Sequence, residues 1–297
     1  MKISYFPGCT LKTTARNFED SALASLKVLG VDLVELSRWN CCGTVYSLAT
    51  DDLMHHLAPV RDLIRVKEEG ASRVVTLCSM CYNTLKQANE LVKADSEKLD
   101  KINQFMYREE VDYDGSVEVT HLIEILRDEV GWEALKKKVT RPLEGIRLAP
   151  YYGCLLVRPR TVALDDAEQP HLLEELLEAL GAEVIDYPYK TECCGSYHTI
   201  TNVGLVMERT YTILTSAFQH GAEAVVVSCP LCDFNLDSRQ KNVQDKFSGF
   251  ERIPVFYFTQ LLSVALGLDV ETCHFDLNFV DPRPLLEDRI PVSGKSP

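Results

Sequence analysis

Short apolar runs alternate along the chain with longer stretches that have helical periodicity. Strands are predicted at residues 2–9, 31–36 and 73–77, and helices at 14–29, 50–69 and from Cys78 onward. In the first helix, Phe18, Ala22 and Leu26 fall on one stripe, and Gly30 stands where a left-handed C-terminal cap is expected. This order of strands and helices favours an α/β fold with a doubly wound, mainly parallel sheet.

The second half of the chain repeats the first. LKVLGVDLVEL, which ends at Leu36, corresponds to LEALGAEVIDY, which ends at Tyr187. Gly30 and Gly181 are 151 residues apart, and the pairs Gly70/Gly221 and Cys78/Cys229 have the same offset. Self-similarity at one period indicates a duplicated unit. We therefore expect two domains of one fold, related by a pseudo-twofold axis.

Breaks in the pattern predict the domain boundaries. The first domain is expected at 1–142, because Arg141-Pro142 interrupts a helix, and the second at 143–268. A proline-containing tail, 269–297, is expected to be irregular and to contact a neighbouring protein chain. The first half is 15 residues longer between its second C-x-x-C cysteine and the following Gly131, in a charged stretch around 95–116. That stretch is either a solvated element or a contact with a partner protein.

The net charge, the lengths of the apolar runs and the missing motifs argue against several classes of protein. A net charge of −13 disfavours a nucleic-acid-binding surface. No run of 18 apolar residues is present, and the N-terminal residues lack the apolar segment of a secretory signal, so a cytoplasmic protein without a membrane span is expected. No G-x-G-x-x-G fingerprint indicates a flavin or nicotinamide site, and no ferredoxin-type cysteine run is present. Electrons would therefore come from another protein.

Ten of the eleven cysteines fall into two sets of five with nearly equal spacing. The first set is Cys9, Cys41, Cys42, Cys78 and Cys81, and the second set is Cys154, Cys193, Cys194, Cys229 and Cys232. Each set has a lone cysteine, a C-C-G sequence and a C-x-x-C. Because most of these cysteines follow predicted strands, they are expected to meet at the carboxyl edge of each sheet. In a reducing compartment such spacing favours metal ligation over disulfides.

Five thiols exceed the four that either a structural zinc or an ordinary [4Fe–4S] cube requires. A zinc site, a cube with a spare cysteine, and an iron–sulfur cluster held by five cysteines are all compatible with the spacing. Gly43 and Gly195 are expected to let the backbone pass close to whatever the thiolates hold.

The order FPGC, CCG and C-x-x-C, with every one of these cysteines repeated in the second half, resembles the CCG-domain family. The length and the lack of other modules are similar to the heterodisulfide reductase B-type members of that family. The resemblance covers roughly residues 1–268. It implies two noncubane [4Fe–4S] clusters, one held by the five cysteines of each set. Our own hypothesis is that Cys42 and Cys194 are catalytic, so that substitution of either should abolish turnover.

The resemblance also implies an activity, namely reduction of the mixed disulfide of coenzyme M and coenzyme B to two thiols in methanogenesis. We hypothesise that the clusters face one cavity and that the S–S bond is split between them. Implied partners are the iron–sulfur C component and the flavin-containing, electron-bifurcating A component of heterodisulfide reductase, fed by hydrogenase or formate dehydrogenase modules. Alternatives are a CCG protein for lactate, glycolate or glycerol-3-phosphate oxidation or quinone reduction, and a zinc-stabilised scaffold.

The anionic groups of that disulfide call for cations near the cysteines. The candidates are Lys12, Arg16, Arg158, Arg160 and His198. The alternative for the lysine and the arginines is that they solvate helix ends. His198 lies four residues after Cys194 and is also a candidate proton donor to a leaving thiolate. Tyr46, Asn83 and Asn235 are expected near the clusters, where capping or packing explains them equally well, and Cys273 is expected to be a buried free thiol.

Overall fold

The computed structural model describes residues 1–43 and 53–287. Within these residues the strands are β1 (Lys2–Tyr5), β2 (Asp32–Glu35), β3 (Arg73–Thr76), β4 (Glu118–His121), β5 (Arg147–Pro150), β6 (Glu183–Val184), β7 (Ala224–Val227) and β8 (Val255–Tyr257). They form two four-stranded sheets with the orders β2-β1-β3-β4 and β6-β5-β7-β8. Every pairing between these strands is parallel. The predicted α/β fold class and its repetition are confirmed.

The helices cover the two sheets. They are α1 (Arg16–Val28), α2 (Leu57–Glu68), α3 (Ser79–Ala94), α4 (Ser96–Phe105), α5 (Leu122–Ile125), α6 (Trp132–Lys136), α7 (Leu172–Ala179), α8 (Val203–Gln219), α9 (Pro230–Asp233), α10 (Gln240–Lys246), α11 (Phe258–Ala265) and α12 (Arg283–Glu287). A π-helical turn continues α5 over Leu126–Val130, and another continues α9 over Phe234–Ser238. Strand β7, AVVV, is buried along its whole length, as expected for a parallel strand covered on both faces.

The fourth strand of each sheet, β4 or β8, was not among the predicted strands. Each is short and runs directly into a helix, α5 after His121 and α11 after Tyr257. The β-branched and aromatic residues of EVTH and VFY were the available signal. It was weak because so few residues precede the helical pattern.

The two halves pack through reciprocal helices. Helix α1 of the first half lies against α11 of the second, where the rings of Phe18 and Tyr257 stack with centroids 4.3 Å apart. In the reverse sense α7 lies against α5 and α6, and Trp132 Nε1 donates to Glu175 Oε2 at 2.9 Å. In both contacts, the first helix of one half packs against the helix that follows the fourth strand of the other half. This reciprocity is what a pseudo-twofold arrangement of the halves requires.

The charged stretch 95–116 folds onto its own half. It contains α4, and both Ile102 and Tyr113 are buried. Glu109 forms ion pairs with Arg61, at 2.8 Å, and with Arg65. The extra residues therefore thicken the helical layer beside α2, and their role towards a partner protein stays a prediction.

The described part of the tail is compact but has little regular structure. It has 3₁₀ turns at Val270–Cys273 and Phe275–Leu277, followed by α12. His274 Nε2 lies 2.8 Å from Asp20 Oδ2, so the tail is tied to α1. Across residues 1–43 and 53–287, we find no helix with the length and apolar character needed to cross a membrane.

Candidate metal centre

Both cysteine sets lie at the carboxyl edge of their sheets. In the first half, Cys9 is in the turn after β1, and Cys78 is the residue that precedes α3 after β3. Strands β1 and β3 are neighbours in the sheet, so their carboxyl ends lie side by side. This is the place where open parallel sheets bind ligands. Cys154 and Cys229 occupy the matching places after β5 and β7.

The five thiols of the first set form a continuous series of contacts. Cys9 Sγ lies 3.8 Å from Cys41 Sγ, and Cys42 Sγ lies 3.6 Å from Cys81 Sγ. The thiol of Cys81 also interacts with that of Cys78. A neighbouring thiol raises the pKa of Cys9, Cys41, Cys78 and Cys81, because each proton is held by an adjacent sulfur.

The second set has the same pattern. Cys194 Sγ lies 3.5 Å from Cys232 Sγ, and the thiol of Cys154 interacts with that of Cys193. The hydrogen bond from Cys154 lowers the pKa of Cys193 to about 6, with further help from the backbone N–H groups of Gly195 and Ser196. Hydrogen bonding from Cys232 and then from Cys78 lowers the pKa of Cys229. Two sulfurs of this set are therefore predisposed to be thiolates, the form that binds metal.

The two sets meet at one point. The thiol of Cys229 faces that of Cys78 and raises its pKa. Beside them, Ser79 Oγ lies 2.6 Å from Ser228 Oγ, and the backbone N–H of Ser79 donates to Ser228 O at 3.1 Å. The two sets of thiols therefore approach each other at the interface between the halves.

The sets differ in access to solvent. Cys9 and Cys41 are exposed, whereas their counterparts Cys154 and Cys193 are half-buried. The remaining six cysteines of the two sets are buried. The first set is thus the more open of the two.

A glycine before each lone cysteine leaves space beside the sulfurs. A Cβ at Gly8 would lie 2.9 Å from Cys81 Sγ, and a Cβ at Gly153 would lie 3.3 Å from Cys232 Sγ. The close approach of the backbone to a bound group at Gly43 and Gly195 stays a prediction. Their backbones have φ of +81° and +82°, and a Cβ there would meet Ala58 or Val206 instead of a sulfur.

The donor set fits a cluster of several metal atoms better than one ion. Each half gathers five soft sulfur ligands, the type that binds iron–sulfur clusters and zinc. Among residues 1–43 and 53–287, however, no group of three or more His, Cys, Asp or Glu side chains is placed to hold a metal ion. The thiols are spread in a series, as ligands distributed over several atoms would be. A single zinc ion would take four of the five thiols of each set and leave one without a metal.

The five predicted cationic residues differ in their surroundings. Lys12 Nζ is already held by Glu19, at 2.8 Å, and by Glu35, at 2.6 Å. Arg158 donates to Thr191 O and Ala167 O and forms an ion pair with Glu168. Both cations therefore have structural partners and are poorly placed to bind a substrate anion.

The other three predicted residues are exposed. Arg16 and Arg160 form no ion pair with any residue in the described ranges, and His198 lies on the 3₁₀ turn that follows the second CCG sequence. The backbone N–H of His198 donates to Gly195 O at 2.8 Å, which fixes the turn beside Cys194. These three side chains stay predictions as substrate contacts.

Two residues near the thiols were missed by the sequence analysis. The pKa of the Tyr197 phenol is raised by burial and then by the charges of cysteines from both sets, Cys42 included. Arg209 Nε donates to Cys193 O at 3.0 Å, and its charge helps to lower the pKa of Cys193. Tyr197 had a signal, because it follows the CCG sequence by two residues, whereas Arg209 is brought in by α8.

The other side chains expected near the clusters have varied positions. Asn83 Nδ2 donates at 2.7 Å to both Leu155 O and Arg158 O, so it joins the halves. Asn235 contacts Cys194. Tyr46 lies outside the described residues. Cys273 is a buried free thiol, as predicted.

Two sheets of the same order, each with five thiols at its carboxyl edge, define a duplicated cysteine-rich α/β protein. A model of the CCG cysteine-rich domain family matches residues 3–86 and again 148–237, and the chain belongs to that family.

Two relatives are similar over almost the whole chain. One is the membrane anchor subunit of 8-methylmenaquinol:fumarate reductase from Wolinella succinogenes, with 33% identity over 96% of this chain and 99% of the relative. The other is the B component of the ferredoxin/F(420)H(2)-dependent CoB–CoM heterodisulfide reductase from Methanosarcina acetivorans, with 32% identity over 94% of each chain.

Among solved structures, a hypothetical protein from Helicobacter pylori has the same fold, with a TM-score of 0.76. Its identity is 12%, and the match covers 94% of this chain and 51% of that one. This likeness concerns the fold alone.

Proposed function

We propose that this protein is the redox component of a larger complex, holds two iron–sulfur centres and reduces a disulfide to two thiols. The observation that carries the proposal is the contact of Ser79 with Ser228, whose hydroxyl oxygens lie 2.6 Å apart and which bring the neighbouring cysteines Cys78 and Cys229 of the two sets together. Cleavage of a disulfide requires two electrons, whereas one iron–sulfur cluster usually transfers one. Two centres held by neighbouring cysteine sets would satisfy that requirement within one chain.

In this proposal each centre is a noncubane [4Fe–4S] cluster held by all five cysteines of one set. The ligands are Cys9, Cys41, Cys42, Cys78 and Cys81 for the first centre, and Cys154, Cys193, Cys194, Cys229 and Cys232 for the second. When bound, such clusters supply single electrons at potentials set by their ligands and surroundings. The contribution of the chain is to gather the sulfurs, to leave space at Gly8 and Gly153, and to hold the two sets together.

The proposed reaction is R–S–S–R′ + 2e⁻ + 2H⁺ → R–SH + R′–SH, and the coenzyme M–coenzyme B heterodisulfide is the proposed substrate. Electrons come from partner proteins of the same complex, since the relatives are themselves named as subunits. The exposed His198 is the proposed proton donor. Arg16 and Arg160 are the proposed contacts for the anionic groups of the substrate.

A second candidate is supported by the relative from Wolinella succinogenes. Its name links it to 8-methylmenaquinol and fumarate, and its identity to this chain is similar to that of the heterodisulfide reductase relative. In this alternative the two centres pass electrons between a quinol and a partner protein. The ten cysteines have the same role in both reactions and do not separate them.

The first test is the composition of the protein purified without oxygen. Two four-iron clusters predict about eight irons and eight sulfides per chain. One or two zinc ions without iron would overturn the redox proposal and leave a scaffold. With iron present, the protein and its copurifying partners are assayed with the heterodisulfide and with a menaquinol analogue, and turnover of the quinol alone would reject the disulfide reaction.

The second test is substitution of one cysteine in each CCG sequence. Cys42→Ser and Cys194→Ser are expected to abolish turnover, because each removes a proposed cluster ligand. The sulfur of each contacts the second cysteine of the C-x-x-C in the same half. Cys273→Ser is the matched control, because Cys273 is buried and lies outside both sets. The Cys273→Ser protein should keep its full iron content and activity. A Cys194→Ser variant with an unchanged spectrum and full activity would contradict the assignment.

A further inference from the structure

The side chain of Asn235 is completely buried beside a sulfur of the second set. Asn235 Nδ2 lies 3.6 Å from Cys194 Sγ and 3.4 Å from Cys194 O. On its other side, Asn235 Oδ1 lies 2.9 Å from Thr199 Oγ1. The amide therefore connects the π-helical turn after the second C-x-x-C with the loop that follows the second CCG sequence.

The chemistry of the partners fixes which end of the amide faces the sulfur. Thr199 Oγ1 has one proton and lies within hydrogen-bonding distance of both Ser196 O, at 2.7 Å, and the amide of Asn235. It can therefore accept or donate towards the amide. A metal-bound cysteine is a thiolate and only accepts, so an oxygen of Asn235 facing it would oppose two lone-pair groups in a buried place. With metal bound, the NH₂ group must point to Cys194 Sγ.

The backbone in this region is specific to the second half. Helix α9 changes to a π-helical turn at Phe234–Ser238, and such turns are frequent at functional sites. Thr210 Oγ1 donates to the backbone oxygen of Asn235 at 3.1 Å and holds the turn in place. In the first half, α3 continues as a regular α-helix, and Thr84, at the position 151 residues earlier, donates to Met80 O. The position that matches Asn235 in the first half therefore carries a threonine in place of the amide.

We propose that Asn235 raises the reduction potential of the second centre by donating a hydrogen bond to the Cys194 sulfur. An added electron makes the cluster and its sulfurs more negative, and a donor aimed at a sulfur stabilises that state more than the oxidised one. Asn235 is a positioning residue, because it acts through Cys194. The inference rests on the proposed iron–sulfur function and extends it by giving the second centre its own control of electron affinity.

The test is a redox titration of the iron-loaded protein, followed by electron paramagnetic resonance. Asn235→Leu removes the donor and keeps the branched shape of the side chain. At a fixed poise, the ratio of reduced to oxidised second centre should fall about tenfold, equal to about 59 mV for one electron, while the first centre is unchanged. Thr210→Val is the matched control, because it removes a hydrogen bond to the backbone of Asn235 without changing the side-chain amide. The midpoint potentials of both centres should equal those of the wild-type protein.

Thr199→Val provides a second variant that leaves the buried amide of Asn235 in place. It removes the partner that orients the amide and should lower the same midpoint by a smaller amount. Iron-loaded Asn235→Leu and Thr199→Val proteins with wild-type midpoints, or with equal shifts at both centres, would overturn this inference alone. Wild-type protein without iron would overturn the proposed function, and this inference with it.

Discussion

Cys78 and Cys229, one from each half of the chain, face each other across the interface between the two sheets, where the backbone N–H of Ser79 donates to Ser228 O at 3.1 Å. Each is the residue that immediately precedes a helix, Cys78 before α3 and Cys229 before α9. The contact places the ends of two helices, with their free N–H groups, around one pair of sulfurs. Residues next to this contact should therefore control both the union of the halves and the communication between the two centres.

The serine pair beside these thiols provides a test of that link. Ser79→Ala and Ser228→Ala each remove the hydroxyl contact of 2.6 Å, and each is expected to lower the free energy of unfolding by about 1 kcal/mol. The double variant should lose less than the sum, because the two hydroxyls bond each other. Urea unfolding measures both effects.

Ser21→Ala is the control for the serine pair, since Ser21 Oγ lies 2.7 Å from Thr259 Oγ1 on the α1–α11 contact between the same halves. It should lower stability by a similar amount without changing the magnetic interaction between the centres, whereas Ser79→Ala should change that interaction. The reverse pattern would contradict a coupling through Cys78 and Cys229.

Gly8 should be required for metal loading. Gly8→Ala adds a Cβ 2.9 Å from Cys81 Sγ, a sulfur of the first set. The variant protein is therefore expected to lose the iron of the first set and to retain that of the second, about half of the total. Gly30→Ala is the matched control, because Gly30 has φ +77° against +74° at Gly8 but open space around the added Cβ. Both variants carry a backbone strain of about 1 kcal/mol. Iron analysis that finds equal losses in the two proteins would rule out the sulfur contact as the cause.

The two arginines after Cys154 should have separate roles. Arg158→Gln breaks hydrogen bonds to Thr191 O and Ala167 O, so it is expected to lower the melting temperature, with the free energy of unfolding reduced by about 1–3 kcal/mol. Arg160→Gln should leave the melting temperature unchanged and raise KM for an anionic disulfide. A variant of Arg160 with an unchanged KM would remove it from the proposed substrate contacts.

Asp62 should give the protein a specific pH dependence. Burial raises the pKa of this carboxyl from 3.8 to about 8, although the backbone N–H of Asn40 donates to it at 2.8 Å. The folded chain keeps a proton that the unfolded chain releases, so this group favours folding at low pH. Its contribution falls as pH rises from about 4 to about 8 and is constant above.

Asp62→Asn removes that titration. The melting temperature of the variant relative to wild type should therefore increase between pH 6 and pH 9. Asp114→Asn is the control, because the ion pair with Lys67 lowers the pKa of Asp114 to about 2 and its effect should be constant over this range. A pH-independent difference for Asp62→Asn would show that the carboxyl is ionised throughout.

Local sequence determined the elements and the ligand set. The periodicity around Phe18, the caps at Gly30 and Gly181 and the two C-x-x-C helices are properties of neighbouring residues, so the parallel α/β fold and its duplication could be predicted. The ten cysteines could be grouped because their spacing recurs. The strands β4 and β8 were not predicted, because each has only three or four residues before a helix begins. So few residues do not give a recognisable strand pattern.

Tertiary structure decided everything that depends on which elements meet. The contact of Cys78 with Cys229, the engagement of Lys12 by Glu19 and Glu35, and the arrival of Arg209 at Cys193 join residues from separate elements. The sequence shows which side chains are present, but it does not determine the distances between side chains of separate elements. Whether a cation is free to bind a ligand, or a thiol is predisposed to lose its proton, depends on burial and on neighbours that only packing brings together.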